Sequence, residues 1–184
     1  MAAALLIMDV QQDIVGRFGD DADYLNRVGA AAAAARTAGL RVIYVVVSFR
    51  DGYPEVSPRN KSFGAIAGTG RFAASDPGAQ IHPAVAPHPG DVTVRKLRVS
   101  AFAGSDLEVV LRAGQIDSLV LAGIATSGVV LSTVRQAADL DYQLTVLADG
   151  CLDADPEVHR VLTEKVFPRQ AEVTSVAAWT ASLT

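Results

Sequence analysis

Three places in this chain carry side chains able to do chemistry together: Asp9, Lys96 and the small-residue turn Thr126-Ser127-Gly128-Val129. Asp9 ends the apolar run from Ala4. A carboxylate closing such a strand is partly desolvated, which raises its pKa and suits it to proton transfer. The plainer alternative is a helix N-cap or a structural acceptor. Lys96 follows Val92-Thr93-Val94 and stands between Arg95 and Arg98. Pointing inward, its ammonium pairs with Asp9 and holds developing negative charge. Pointing outward, all three cations are simply solvated. The turn is preceded by an apolar strand and followed by a helix, a geometry that exposes a nucleophile and aims backbone N–H groups at an anion.

Other reactive groups are weaker. Thr126 and Ser127 lie in the turn and Ser132 follows it, but a hydroxyl nucleophile needs a base within hydrogen-bond reach. Asp9 is the available base, and no His is placed beside the turn. Cys151, the single cysteine, follows a later strand in Asp149-Gly150-Cys151. It reaches the same edge, although a free Cys more commonly packs as a small apolar group. His82, His88 and His159 show no metal-ligand spacing, and no metal or cofactor is expected. Gly64–Gly70 is Gly-rich without the Gly-Lys-Ser/Thr ending of a phosphate loop. Phe18, Phe49, Tyr53 and Phe102 are candidates to line an apolar pocket, and equally candidates for ordinary core.

The elements that position these residues alternate between β-branched runs and helix-period segments, the pattern of a parallel sheet. Strands are expected at Ala4–Asp9, Leu40–Val47, Asp91–Lys96, Ser118–Ala122, Gln143–Ala148 and, at an edge, Glu172–Thr174. Helices are expected at Leu25–Ala38 with Gly39 as C-cap, Asp106–Ala113, Gly128–Leu140, and Pro156–Phe167 with Asp155 as N-cap. Ser48–Gly90 has little periodicity and reads as a long irregular excursion with a short helical turn; such loops are usually functional. The expected fold is an α/β three-layer sandwich, a mostly parallel six-stranded sheet with helices on both faces. In such sheets ligands sit beyond the carboxyl ends of the strands. Asp9, Lys96 and the turn all meet that edge.

The 184 residues fit one domain, 1–184, and half of them are hydrophobic, enough for a sizeable core. A formal net charge of −4 without a basic block gives no footprint for nucleic acid or an anionic membrane. One cysteine cannot form an internal disulfide, and the N-terminal apolar run lacks the length and basic flank of a signal peptide. A cytoplasmic protein acting on a small molecule is expected.

Three segments, Leu5-Leu6-Ile7-Met8-Asp9-Val10-Gln11-Gln12-Asp13, Val94-Arg95-Lys96-Leu97-Arg98-Val99-Ser100-Ala101-Phe102 and Ala122-Gly123-Ile124-Ala125-Thr126-Ser127-Gly128-Val129-Val130-Leu131-Ser132-Thr133, resemble those of the isochorismatase-like cysteine hydrolases. The resemblance implies a triad of Asp, Lys and Cys. Asp9 and Lys96 match it; the Cys position falls on Val129, or on Gly128 with the turn shifted by one. It also implies a cis peptide near Ile124-Ala125 and a homo-oligomer; substrate contacts are expected from Thr126, Ser127, Gly128 and Val129 of the turn, with Phe18 the aromatic chosen for the pocket. The metal cluster of the nicotinamidase branch finds no match at Ser48–Tyr53. Three functions follow: a hydrolase using Asp9 and Lys96 without a thiol, a covalent amidase-type hydrolase that fails at Val129, or a non-catalytic member that binds a ligand or serves an assembly. The first is the reading taken here, with Asp9 as acid/base and Lys96 as its electrostatic partner.

Overall fold

The computed structural model of the protein describes residues 2–18 and 21–183. Six strands, β1 (Ala2–Met8), β2 (Arg41–Val47), β3 (Val92–Lys96), β4 (Ile116–Ile124), β5 (Gln143–Leu152) and β6 (Glu172–Thr174), form one sheet in the order β3-β2-β1-β4-β5-β6. Every neighbouring pair is parallel, so the sheet is parallel throughout rather than mostly so. Parallel neighbours need crossover connections, and helices supply them. The helices are α1 (Gln12–Val15), α2 (Ala22–Thr37), α3 (Lys61–Gly64), α4 (Leu107–Ala113), α5 (Leu131–Asp139), α6 (Pro156–Val161) and α7 (Val176–Ser182).

Side-chain alternation along the central strands builds two apolar layers, because successive residues of a strand face opposite ways. Ala4, Leu6 and Met8 of β1 join Ile43 and Val45 of β2 beneath α4 and α5. Leu5 and Ile7 join Val42 and Tyr44 on the other face, under α2 and α7. Both faces are therefore buried, which is why these strands read as continuous apolar runs. α2 starts at an Asp21 N-cap that accepts from the Tyr24 N–H at 3.0 Å. Gly39, with φ of +72°, follows it in the left-handed conformation that ends helices.

The Ser48–Gly90 excursion has its own small core, in which Phe49, Tyr53, Phe63 and Phe72 pack against Val47. Gln11 stitches it to the sheet: Nε2 donates to the carbonyls of Val47 at 2.9 Å and Ala79 at 2.6 Å, while Oε1 accepts from the Val47 N–H at 3.0 Å. The expected helix from Gly128 begins instead with a wide turn over Thr126–Val130, in which Gly128 has non-helical torsions, and becomes α-helical only at Leu131. The helix from Pro156 likewise widens after Val161. α7 had no counterpart in the sequence reading; its Ser175 N-cap accepts from the Ala178 N–H.

Gly123 closes β4 against β1 with φ of +151°, and a Cβ there would lie 2.2 Å from the Met8 carbonyl oxygen. Gly123→Ala is expected to cost about 2–4 kcal/mol in chemical denaturation, through backbone strain and overpacking. Gly16→Ala, whose added Cβ meets nothing within 4 Å, is expected to change stability by less than about 1 kcal/mol.

Candidate active site

The chain leaves β1 towards β2 and β3, then returns to the opposite side of β1 with β4. The carboxyl ends of β1 and β4 thus flank a topological switch point, where open α/β sheets hold ligands. Asp9 stands there directly after β1. Its φ of 57° turns the chain out of the strand, a conformation Asp tolerates better than most residues. Its N–H donates to the Val45 carbonyl at 2.8 Å, which fixes the turn to β2.

Of the two orientations open to Lys96, the structure has the inward one. Its Nζ lies 2.9 Å from Asp9 Oδ2, with side-chain exposures of 2% for Lys96 and 9% for Asp9. Nζ also donates to the Arg98 carbonyl at 2.9 Å. Asp9 Oδ1 is buried and has no hydrogen-bond partner among the described residues. Burial pushes the Asp9 carboxyl above its ordinary value, and the charge and hydrogen bond of Lys96 offset this only in part.

Both groups line a cavity of about 400 Å³ whose wall includes Phe18, Phe63, Phe72, Gly128 and Val129. Two other turn residues face elsewhere. Thr126 is fully buried, with its Oγ1 2.8 Å from His159 Nδ1. Ser127 is exposed, and its N–H donates to Asp153 Oδ2 at 2.7 Å. His159 therefore does stand beside the turn, contrary to the sequence expectation. β4 and β5 are sheet neighbours, so the helix following β5 packs against the turn following β4. Partial burial holds the His159 pKa below its usual value, with Asp153 opposing the shift.

The remaining candidates sort by packing. Phe49 and Tyr53 belong to the core of the excursion. Phe102 packs in the main core, its ring 6.0 Å from that of Tyr142. Cys151 is 2% exposed in the same core, and burial pushes its thiol up to about 12. A thiol so placed is protonated and shielded, hence a poor nucleophile. The Ile124–Ala125 peptide is cis, as the family resemblance implies. Among the described residues no three His, Cys, Asp or Glu side chains converge on a metal position. A second cavity of about 500 Å³ lies beside Val46, Thr93 and Arg95; it holds no carboxylate–cation pair. Sequence reasoning missed Gln11, Arg17, Phe63, Phe72 and His159.

The comparison with known proteins falls on the same elements. A family model described as the isochorismatase domain matches residues 3–178. The chain belongs to the isochorismatase family. Its relatives include an uncharacterized isochorismatase family protein of Escherichia coli, YecD, 32% identical over 94% of this chain and 92% of its own. The ureidoacrylate amidohydrolase RutB of Stutzerimonas stutzeri is 34% identical over 84% of this chain and 71% of its own. Among solved structures, a cysteine hydrolase of Pseudomonas syringae pv. phaseolicola superposes with a TM-score of 0.89 at 25% identity, covering 98% of this chain and 92% of that one. Family relatives are thus hydrolases, and the six-stranded α/β architecture is theirs.

Two outcomes test the geometry of the site. Asp9→Asn leaves a buried ammonium without its counter-charge and is expected to cost about 3 kcal/mol or more. The double variant Asp9→Asn/Lys96→Met is expected to recover most of that loss, as a denaturation double-mutant cycle would show. His159 should add pH dependence. Its folded pKa lies below 6.5, so the unfolded chain takes up the proton first as pH falls. The stability His159 gives is complete above about pH 6.5 and is lost towards the lower folded value. The gap in melting temperature between wild type and His159→Gln should narrow on acidification through that window.

Proposed function

We propose that the protein hydrolyses a small organic molecule, with an amide C–N bond the favoured target, using Asp9 and Lys96 and no thiol nucleophile. The observation that carries this reading is the buried carboxylate with one oxygen on Lys96 and the other unpartnered beside a cavity. The amidohydrolase relative supports C–N cleavage.

The chemistry this supports is acid–base catalysis on water. Ionised Asp9 takes a proton from a water at Oδ1 as the water oxygen attacks the carbonyl carbon. The carbonyl oxygen gains the negative charge. Lys96 has three N–H donors, two of them engaged by Asp9 and Arg98. The third is available to the new oxyanion, within a wall dry enough to strengthen the contact. When the C–N bond breaks, protonated Asp9 returns its proton to the leaving nitrogen. A carboxyl raised above its ordinary value suits both halves of this cycle. Val129, at the position the resemblance gives to Cys, is 2% exposed and offers only a hydrocarbon wall.

Turnover screening against simple amides, vinyl ethers and isochorismate tests the reading. Wild type is expected to turn over a member of this set, Asp9→Ala to lose about 10³-fold, and Cys151→Ala to keep full rate. The acid limb of kcat/KM should lie above the ordinary carboxylate value, since Asp9 must be ionised to act as base. Val129→Cys should create a thiol beside Lys96 that iodoacetamide alkylates far faster than Cys151. Ligand binding without turnover in wild type would make this a binding member of the family and sink the assignment.

A further inference from the structure

Among the described residues, the charged groups lining the active-site cavity are Asp9, Lys96 and Arg17. Asp9 and Lys96 neutralise each other at 2.9 Å. Among the described residues this leaves Arg17 as the cavity's surplus positive charge. It sits in the single turn Gly16–Phe18 that follows α1. Its guanidinium carbon stands 5.9 Å from the centroid of the Phe72 ring, and that of Arg71 stands 5.4 Å from the same ring. Arg71 reaches Asp13 at 3.4 Å, whereas Arg17 makes no side-chain hydrogen bond to a described residue. Two guanidinium groups thus share one aromatic wall, and among the described residues one carboxylate, Asp13, faces them from outside the cavity lining. Partial burial and the neighbouring Arg71 charge both lower the Arg17 pKa, with Asp13 opposing them. An anion seated at Arg17 would offset the repulsion between the two guanidinium groups.

We propose that Arg17, backed by Arg71, is the specificity-determining residue of this cavity, and that its ligand carries one carboxylate on a small, flat apolar frame. The frame follows from the wall, in which Phe18, Phe63 and Phe72 contribute three rings. The carboxylate follows from the guanidinium fork, which meets two carboxylate oxygens at once. The reacting bond would then lie at Asp9 and Lys96, with the carboxylate held at Arg17. The inference rests on the reading of this cavity as the active site.

Benzoate and benzyl alcohol, titrated into the full-length protein by calorimetry, test it. They share a ring and differ in charge, and neither offers a bond to hydrolyse. Benzoate is expected to bind about tenfold more tightly than benzyl alcohol at low salt, with the difference shrinking as salt screens this exposed cation. Arg17→Gln should erase that preference while leaving benzyl alcohol affinity and melting temperature unchanged, and Arg17→Lys should restore it in part. Equal affinity for the two probes, no benzoate binding, or a preference that survives Arg17→Gln would each overturn the inference. None of these readouts uses turnover, so failure of the catalytic reading appears separately, as hydrolysis that persists in Asp9→Ala.

Discussion

A carboxylate and an ammonium 2.9 Å apart, both nearly withdrawn from solvent, are the constraint around which the site is arranged. Removing two charges from water costs several kcal/mol per ion even after relaxation, and mutual attraction offsets this only with good geometry and further hydrogen bonds. Lys96 meets that requirement with the Arg98 carbonyl. Asp9 does not, because Oδ1 has no partner among the described residues. Apolar residues of similar volume would serve stability as well or better. A pair left half-satisfied beside a cavity is therefore poorly explained by folding and well explained by a ligand or water that completes it.

The sheet order explains how residues 87 positions apart come together. β1 is central, and β3 is separated from it by β2 alone. Val47 at the end of β2 is in register with Lys96 at the end of β3, so the lysine stem has only one strand end to cross. Gln11 holds that strand end with three hydrogen bonds to Val47 and Ala79. The same amide thus fixes the floor beside the pair and the excursion that covers it. Phe63 and Phe72 reach the cavity only because the excursion is anchored there.

How much of this was legible in the sequence depended on the range of the contacts. Strands buried on both faces announce themselves as β-branched runs, so β2 was placed closely. Asp9 was legible as a charge ending such a run, whereas Lys96 was favoured over Arg95 and Arg98 by the family resemblance of the segment that runs on to Ser100-Ala101-Phe102. The Thr126–His159 contact was not, since it depends on which strands are neighbours, and strand order is not written in local periodicity. The excursion's rings were unreadable for a different reason. Its segments have no regular period, and what buries Phe63 and Phe72 is their mutual packing against Val47 and Phe49. Gly128–Leu140 read as one helix because its apolar spacing is helical, yet the first turn is wider than an α-helix, and this directs Val129 to the cavity while Thr126 turns to His159.

On the proposed reading, Val129 bears on the electrostatics of the site as well as its reactivity. With a thiolate in the turn, one ammonium would serve two anions, and the carboxylate would feel a like charge that raises its pKa further. With valine there, the whole charge of Lys96 acts on Asp9, and the resting pair is neutral. A neutral pair leaves the sign of the cavity to its rim, where Arg17 stands over Phe72. It also leaves one ammonium donor unclaimed for a substrate oxygen. In the proposed mechanism a hydrocarbon at this turn position leaves the pair to activate water, a task for which a carboxyl raised by burial is well matched.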